Sequence, residues 1–279
     1  MPQDAQPVLV HAIQLPPLAG FMSPKPVVAA DPVGNVLVVA HGLTNAPLGS
    51  DILVWRSIDR GNTWSLPENL TDLAKDGEIF FDPWLETDRR GHFYFVHALV
   101  SDGRPHVRRS KDAGFTWSNT LPIKWKWCDR PVLSVSPNGR RLAVAGAMTE
   151  KTDNYPSEPL DSNDPDFVRK VRAAFRNYAG IFVSRNYGES WRKVTGPFDD
   201  EHAIPFSIVI DDAGRMAASW IVEGDGSRSV VIVTENLDRT WTTTTLVESL
   251  QPDRQHPFNG ARFSVLALDG RSVLHVAYV

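Results

Sequence analysis

The chain has 279 residues, 42% of them apolar, and a formal net charge of −4 at pH 7. That length suits one large all-β domain or two small ones. The mild acidity implies no basic face for nucleic acid, no apolar run is long enough for a membrane-spanning helix, and a single cysteine, Cys128, excludes an internal disulfide.

Met1 to Pro7 is polar and proline-containing, unlike a signal peptide. The chain reads as soluble, secreted if a leader has been removed and otherwise cytoplasmic. Pro7 to Leu15 predicts a strand with no partner nearby in sequence. A repeated grammar follows. An apolar run with a proline near its start occurs at Pro26 to Ala30, Pro83 to Thr87, Pro131 to Val135 and Pro205 to Ile210. A polar turn with Gly comes next, at Asp31 to Gly34, Asp88 to Gly91, Ser136 to Gly139 and Asp211 to Gly214. Second strands follow at Val36 to Ala40, Phe93 to His97, Leu142 to Ala145 and Met216 to Trp220. A fifth unit has two strands, Ala261 to Leu268 and Val273 to Val279. The pattern predicts antiparallel four-stranded units.

Each of the first four units carries one motif between its third and fourth strands, Ser/Thr-x-Asp/Asn-x-Gly-x-Thr/Ser-Trp. The copies are Ser57 to Trp64, Ser110 to Trp117, Ser184 to Trp191 and a degraded Thr234 to Trp241. The Asp or Asn suits a hairpin turn by accepting backbone N–H bonds, and the Gly by taking φ > 0. The four Trp residues, 64, 117, 191 and 241, are 53, 74 and 50 residues apart. A period near 50 suits one propeller blade.

This motif resembles the Asp box, or BNR repeat, of sialidase-like β-propellers. The resemblance implies one propeller domain over residues 1–279. Five blades, the last completed by the N-terminal strand, remove exposed sheet edges. A truncated six-bladed ring is the alternative. The long third repeat carries an insertion at about 149–178. Its second half predicts a helix, with Pro165 in the first turn and Phe167, Val171, Ala174, Phe175 and Tyr178 on one face.

The resemblance also implies that the boxes are structural and that the site lies at the opposite mouth. Loops between second and third strands, and between blades, open there. The acids placed at that mouth are Asp82, Asp129, Glu150 and Glu223, with Tyr278 beside the chain end. Arg130, Arg262, Trp220 and Tyr155 are the substrate-binding candidates. Acids and arginines around one opening suit an anionic or polyhydroxylated small molecule or glycan. Sialidases use three arginines, a Tyr–Glu pair and an Asp. Here Lys25 stands where the first arginine is expected, and Arg130 and Arg262 supply two.

Three functions are therefore expected in order: a glycan-active hydrolase, a metal-dependent enzyme, and a non-catalytic recognition propeller. The second rests on His41, His97, His202 and His256, which the repeat places on four sides of the mouth. Neutral imidazoles there suit zinc, copper, iron or nickel.

Overall fold

The computed structural model describes residues 15–16, 26–43, 50–70, 80–99, 103–118, 123–124, 128–154, 170, 174–194, 203–223, 228–250 and 264–278. These residues form five antiparallel sheets. The first comprises β1 (Val27–Ala30), β2 (Val36–Leu43), β3 (Ser50–Ser57) and β4 (Glu68–Asn69). The second comprises β5 (Phe80–Thr87), β6 (Phe93–Leu99) and β7 (Pro105–Ser110), extended by an Arg109–Ser118 bridge. The third comprises β8 (Cys128–Val135), β9 (Leu142–Lys151), β10 (Phe175–Ser184) and β11 (Arg192–Val194). The fourth comprises β12 (Ala203–Ile210), β13 (Met216–Glu223), β14 (Arg228–Glu235) and β15 (Trp241–Leu250). The fifth pairs β16 (Ser264–Leu268) with β17 (Leu274–Tyr278).

Successive first strands, β1, β5, β8, β12 and β16, lie side by side. Alternation along each strand sends one set of side chains to the sheet before and the other to the sheet after. Leu37 and Val39 thus meet Phe93 and Phe95 between the first two sheets. Tyr94 and Val96 meet Leu133 and Val144 between the next two. Ile181 and Val183 meet Ile208 and Met216, and Ala217 and Ile232 meet Leu266.

The turns from first to second strand share one device. Asp31 Oδ1 accepts from the amides of Val33, Gly34 and Asn35 at 3.0, 2.8 and 2.8 Å. Asp88, Asp211 and Asp269 repeat it, and Ser136 takes that place in the third sheet.

The first three motif copies form one shared turn. In the first, Ser57 Oγ donates to Asp59 Oδ1 and accepts from the Gly61 amide, at 2.7 and 2.8 Å. Asp59 then accepts from the Thr63 amide and hydroxyl at 2.9 and 2.6 Å. These bonds, that of the Thr63 hydroxyl foremost, hold the Asp59 carboxyl down to about 2. Sequence reasoning places positive φ at the Gly alone. The preceding residues Arg60, Ala113 and Tyr187 are also left-handed, at 62°, 53° and 62°. The fourth copy folds differently. Asp238 replaces the Gly, and a left-handed non-Gly pair is unfavourable. Asn236 N instead donates to Thr240 O and Arg239 N to Asn236 O, at 2.8 and 3.1 Å. That is the bonding of the Asp31 to Asn35 turn.

The predicted insertion helix is corrected at its end. Lys170 and Ala174 are helical, but Phe175 to Tyr178 pair with β9 as strand. Once β9 extends to Lys151, those residues gain a full ladder of hydrogen bonds that a helix would forgo. Residues 149–151 of the insertion end β9, and residues 155–169 and 171–173 lie outside the described residues, as does the expected strand before Leu15. Leu15 itself packs on Ala40, Leu53 and Trp55, and Pro16 O accepts from Trp55 Nε1 at 2.8 Å.

Candidate functional site

Each sheet has two ends. First-to-second turns and motif turns share one end. Turns from three sheets meet there: the Arg89 amide donates to Pro137 O at 2.9 Å, and Arg89 Nη2 to Asp212 Oδ2 at 3.2 Å. The other end holds the starts of first strands and the ends of second strands.

At that mouth the first strands of the second and third sheets are distorted alike. The register skips between Phe81 and Trp84, and again between Asp129 and Val132. Asp82 and Arg130 sit in these bulges, at φ 48° and 51°. The bulges make Asp82 equivalent to Arg130, each directly before a proline. Left-handed non-Gly residues are strained, and such strain concentrates at functional sites. Asp82 is half-buried and Arg130 is exposed. Asp82 and Arg130 thus hold equivalent positions on adjacent first strands.

For Asp129, Glu150, Glu223 and Tyr278 only the backbone is described; all four fall in strands at the mouth end. Tyr155, Arg262, His202 and His256 lie outside the described residues. Trp220 is 2% exposed in the core between the third and fourth sheets, a packing position and not a sugar platform.

His41 is half-buried at the end of β2. His97 is fully buried, stacked on Phe95 at 5.1 Å and on His106 at 5.6 Å. Burial, with Arg108 and His106 nearby, holds its pKa well below the usual imidazole range. A neutral ring suits this aromatic stack. Among the described residues no three His, Cys, Asp or Glu side chains group closely enough to hold a metal.

Sequence reasoning missed Glu86. It lies on β5, and Trp84 Nε1 donates to Glu86 Oε1 at 3.3 Å. Burial pushes its carboxyl up to about 7, against the weaker opposing effect of Trp84. The signal was present in the repeat. Counting two residues back from each turn acid or its Ser gives Ala29, Glu86, Ser134, Val209 and Ala267. Glu86 is the one charge in that column. Between pH 4.5 and about 7 the folded chain holds this proton and the unfolded chain releases it. Stability therefore falls as pH rises through that window. Glu86→Gln should stabilise the protein by about 1–3 kcal/mol at pH 8 and leave it unchanged at pH 4. Urea unfolding at the two pH values checks this; an equal effect at both would refute it.

No family model and no curated protein sequence matches the chain. Solved structures do resemble it. A protein of unknown function from Dyadobacter fermentans aligns with a TM-score of 0.61 at 16% identity, covering 95% of this chain and 77% of that one. An α-L-arabinanase from Penicillium chrysogenum, complexed with arabinobiose, aligns at 0.57 and 15% identity, covering 92% and 75%. A Hadza microbial sialidase aligns at 0.55 and 17% identity, covering 91% of this chain and 52% of its own. The fold is a sialidase-like propeller. At such identities the likeness speaks for the fold alone, and this propeller spans about half the length of that sialidase.

Proposed function

We propose that this propeller is a glycan-active hydrolase whose site is the mouth opposite the motif turns. The observation that carries the reading is the strained pair Asp82 and Arg130. A half-buried carboxylate suits proton transfer at a glycosidic oxygen, and an exposed guanidinium suits an anionic or hydroxyl-rich substrate. The propeller neighbours include a sialidase and an arabinanase, so sialosides and arabinans are the first substrates to test. Asp129, Glu150 and Glu223 are the candidates for the second carboxylate, and a separation of roughly 5–10 Å from Asp82 is what a glycosidase would need. Product release from these substrates is expected for the wild type. Asp82→Asn should reduce it by about 100-fold or more without lowering the melting temperature. No turnover on either class, or full activity in the variant, defeats the proposal. Activity lost to a chelator would favour the histidine-ligated reading.

The ring is proposed to have five blades, with the N-terminal strand completing the last. Leu15 supports this by packing on the face of the first sheet turned away from the second. Val28 and Val265, 62% and 57% exposed, mark the two facing ends of the arc that closure would cover. Deleting residues 1–16 should lower the melting temperature sharply; an unchanged value would rule out this closure.

A further inference from the structure

The face carrying the motif turns holds a cleft of about 370 Å³ between the third and fourth sheets. Arg140, Arg141, Arg185 and Arg239 line it, and Asp212 is the only acid among its described lining residues. Among the described residues the positive charge there is only partly answered. Glu235, behind the cleft, serves both Arg141 and Arg239. Asp212 is shared with Arg89 at 3.2 Å. Four guanidiniums thus have two carboxylates near them, and one of those is paired with Arg89. Arg141 is 8% exposed, and its Nε is buried with no hydrogen-bond partner among the described residues.

The two outer arginines are placed by backbone bonds. Arg140 Nε donates to Arg185 O at 3.4 Å, and the Tyr187 amide donates to Arg140 O at 3.2 Å. The motif turn, whose Tyr187 is left-handed, thereby fixes Arg140 beside the backbone of Arg185. Like charges held together this way repel unless an anion lies between them, and guanidinium forks match tetrahedral oxyanions.

We propose that this cleft is an anion site for a phosphate or sulfate group, either free or carried as a monoester. It is separate from the mouth, because it lies at the opposite end of the sheets. It makes the turn face a binding surface in its own right, independent of any hydrolysis.

The test is calorimetric titration of the full chain with sodium phosphate and sodium sulfate, at an ionic strength fixed with sodium chloride. One saturable site is expected for each. Arg140→Gln and Arg185→Gln, both exposed positions, should each weaken binding by about tenfold or more. Arg271→Gln, on the same face but outside the cleft, should leave it unchanged. A parallel titration with glucose 6-phosphate separates the sources: tighter binding than phosphate assigns the site to an ester, weaker binding to the free ion. Absence of a saturable site, or wild-type affinity in both cleft variants, overturns the proposal. Neither outcome touches the hydrolase reading, which Asp82→Asn tests at the other mouth.

Discussion

Glu235→Ala should destabilise the fold by about 3–5 kcal/mol, the usual cost of breaking a buried ion pair from one side. Glu235 ends β14 and is 8% exposed. Both its oxygens accept from Arg141 Nη2, at 3.2 and 3.0 Å. It also accepts from Arg239 Nη1 at 3.1 Å and from the Met216 amide at 3.2 Å. Arg141 belongs to the third sheet and Glu235 to the fourth, so this pair joins two sheets. Burial already lowers the Arg141 pKa, and Glu235 is the main influence opposing it. Removing the carboxylate leaves a buried guanidinium without its counter-charge. The melting temperature should fall by roughly 6–15 °C for a domain of this size. Replacing the pair together, as Arg141→Met with Glu235→Leu, should recover most of the loss, because neither charge is then stranded. A single-variant loss below about 1 kcal/mol would show that the pair carries little.

Gly139→Ala should cost about 2–5 kcal/mol, from two sources. Gly139 has φ 73°, a left-handed conformation that disfavours any Cβ. An added Cβ would also collide with Asp88 Oδ2 and would lie 2.6 Å from the Tyr94 hydroxyl. Asp88 and Tyr94 belong to the second sheet, and both are essentially buried. Tyr94 donates to Asp88 Oδ2 at 3.0 Å, while Asp88 Oδ1 accepts the amides of Arg90 and His92 at 2.9 and 3.0 Å. Displacing that carboxylate would loosen the turn of one sheet by a change in the next. Gly270→Ala is the control, since nothing lies within 4 Å of its added Cβ. Equilibrium unfolding of both variants checks the contrast; equal, small losses would show that the second sheet yields freely.

These two sites show where sequence reading stops. Gly139 is legible as a turn glycine, because its neighbours Ser136 to Asn138 are turn formers. That its Cα abuts Asp88 is not legible, since 51 residues separate them. Glu235 lies inside the degraded motif copy, and nothing in that pattern marks it as buried. Only the packing of the third sheet against the fourth makes it a buried partner of Arg141. The fate of Trp220 has the same cause. Met216 to Trp220 is legible as strand, although β13 runs on to Glu223, and whether Trp220 meets ligand or core depends on the sheet behind it.

By itself the sequence determined the strand grammar, the turns and the three well-formed motif copies, because those rest on interactions within about eight residues. The alternation of apolar positions and the spacing of Asp, Gly and Trp encode them locally. The tertiary structure alone decided the rest: that Phe175 to Tyr178 join β10, that Glu86 keeps its proton to about 7, and that Asp82 and Arg130 share one strained bulge position. Each of these depends on a neighbouring strand or sheet supplying burial, a hydrogen-bond ladder or register. Such partners lie tens of residues away, where no local pattern reports them.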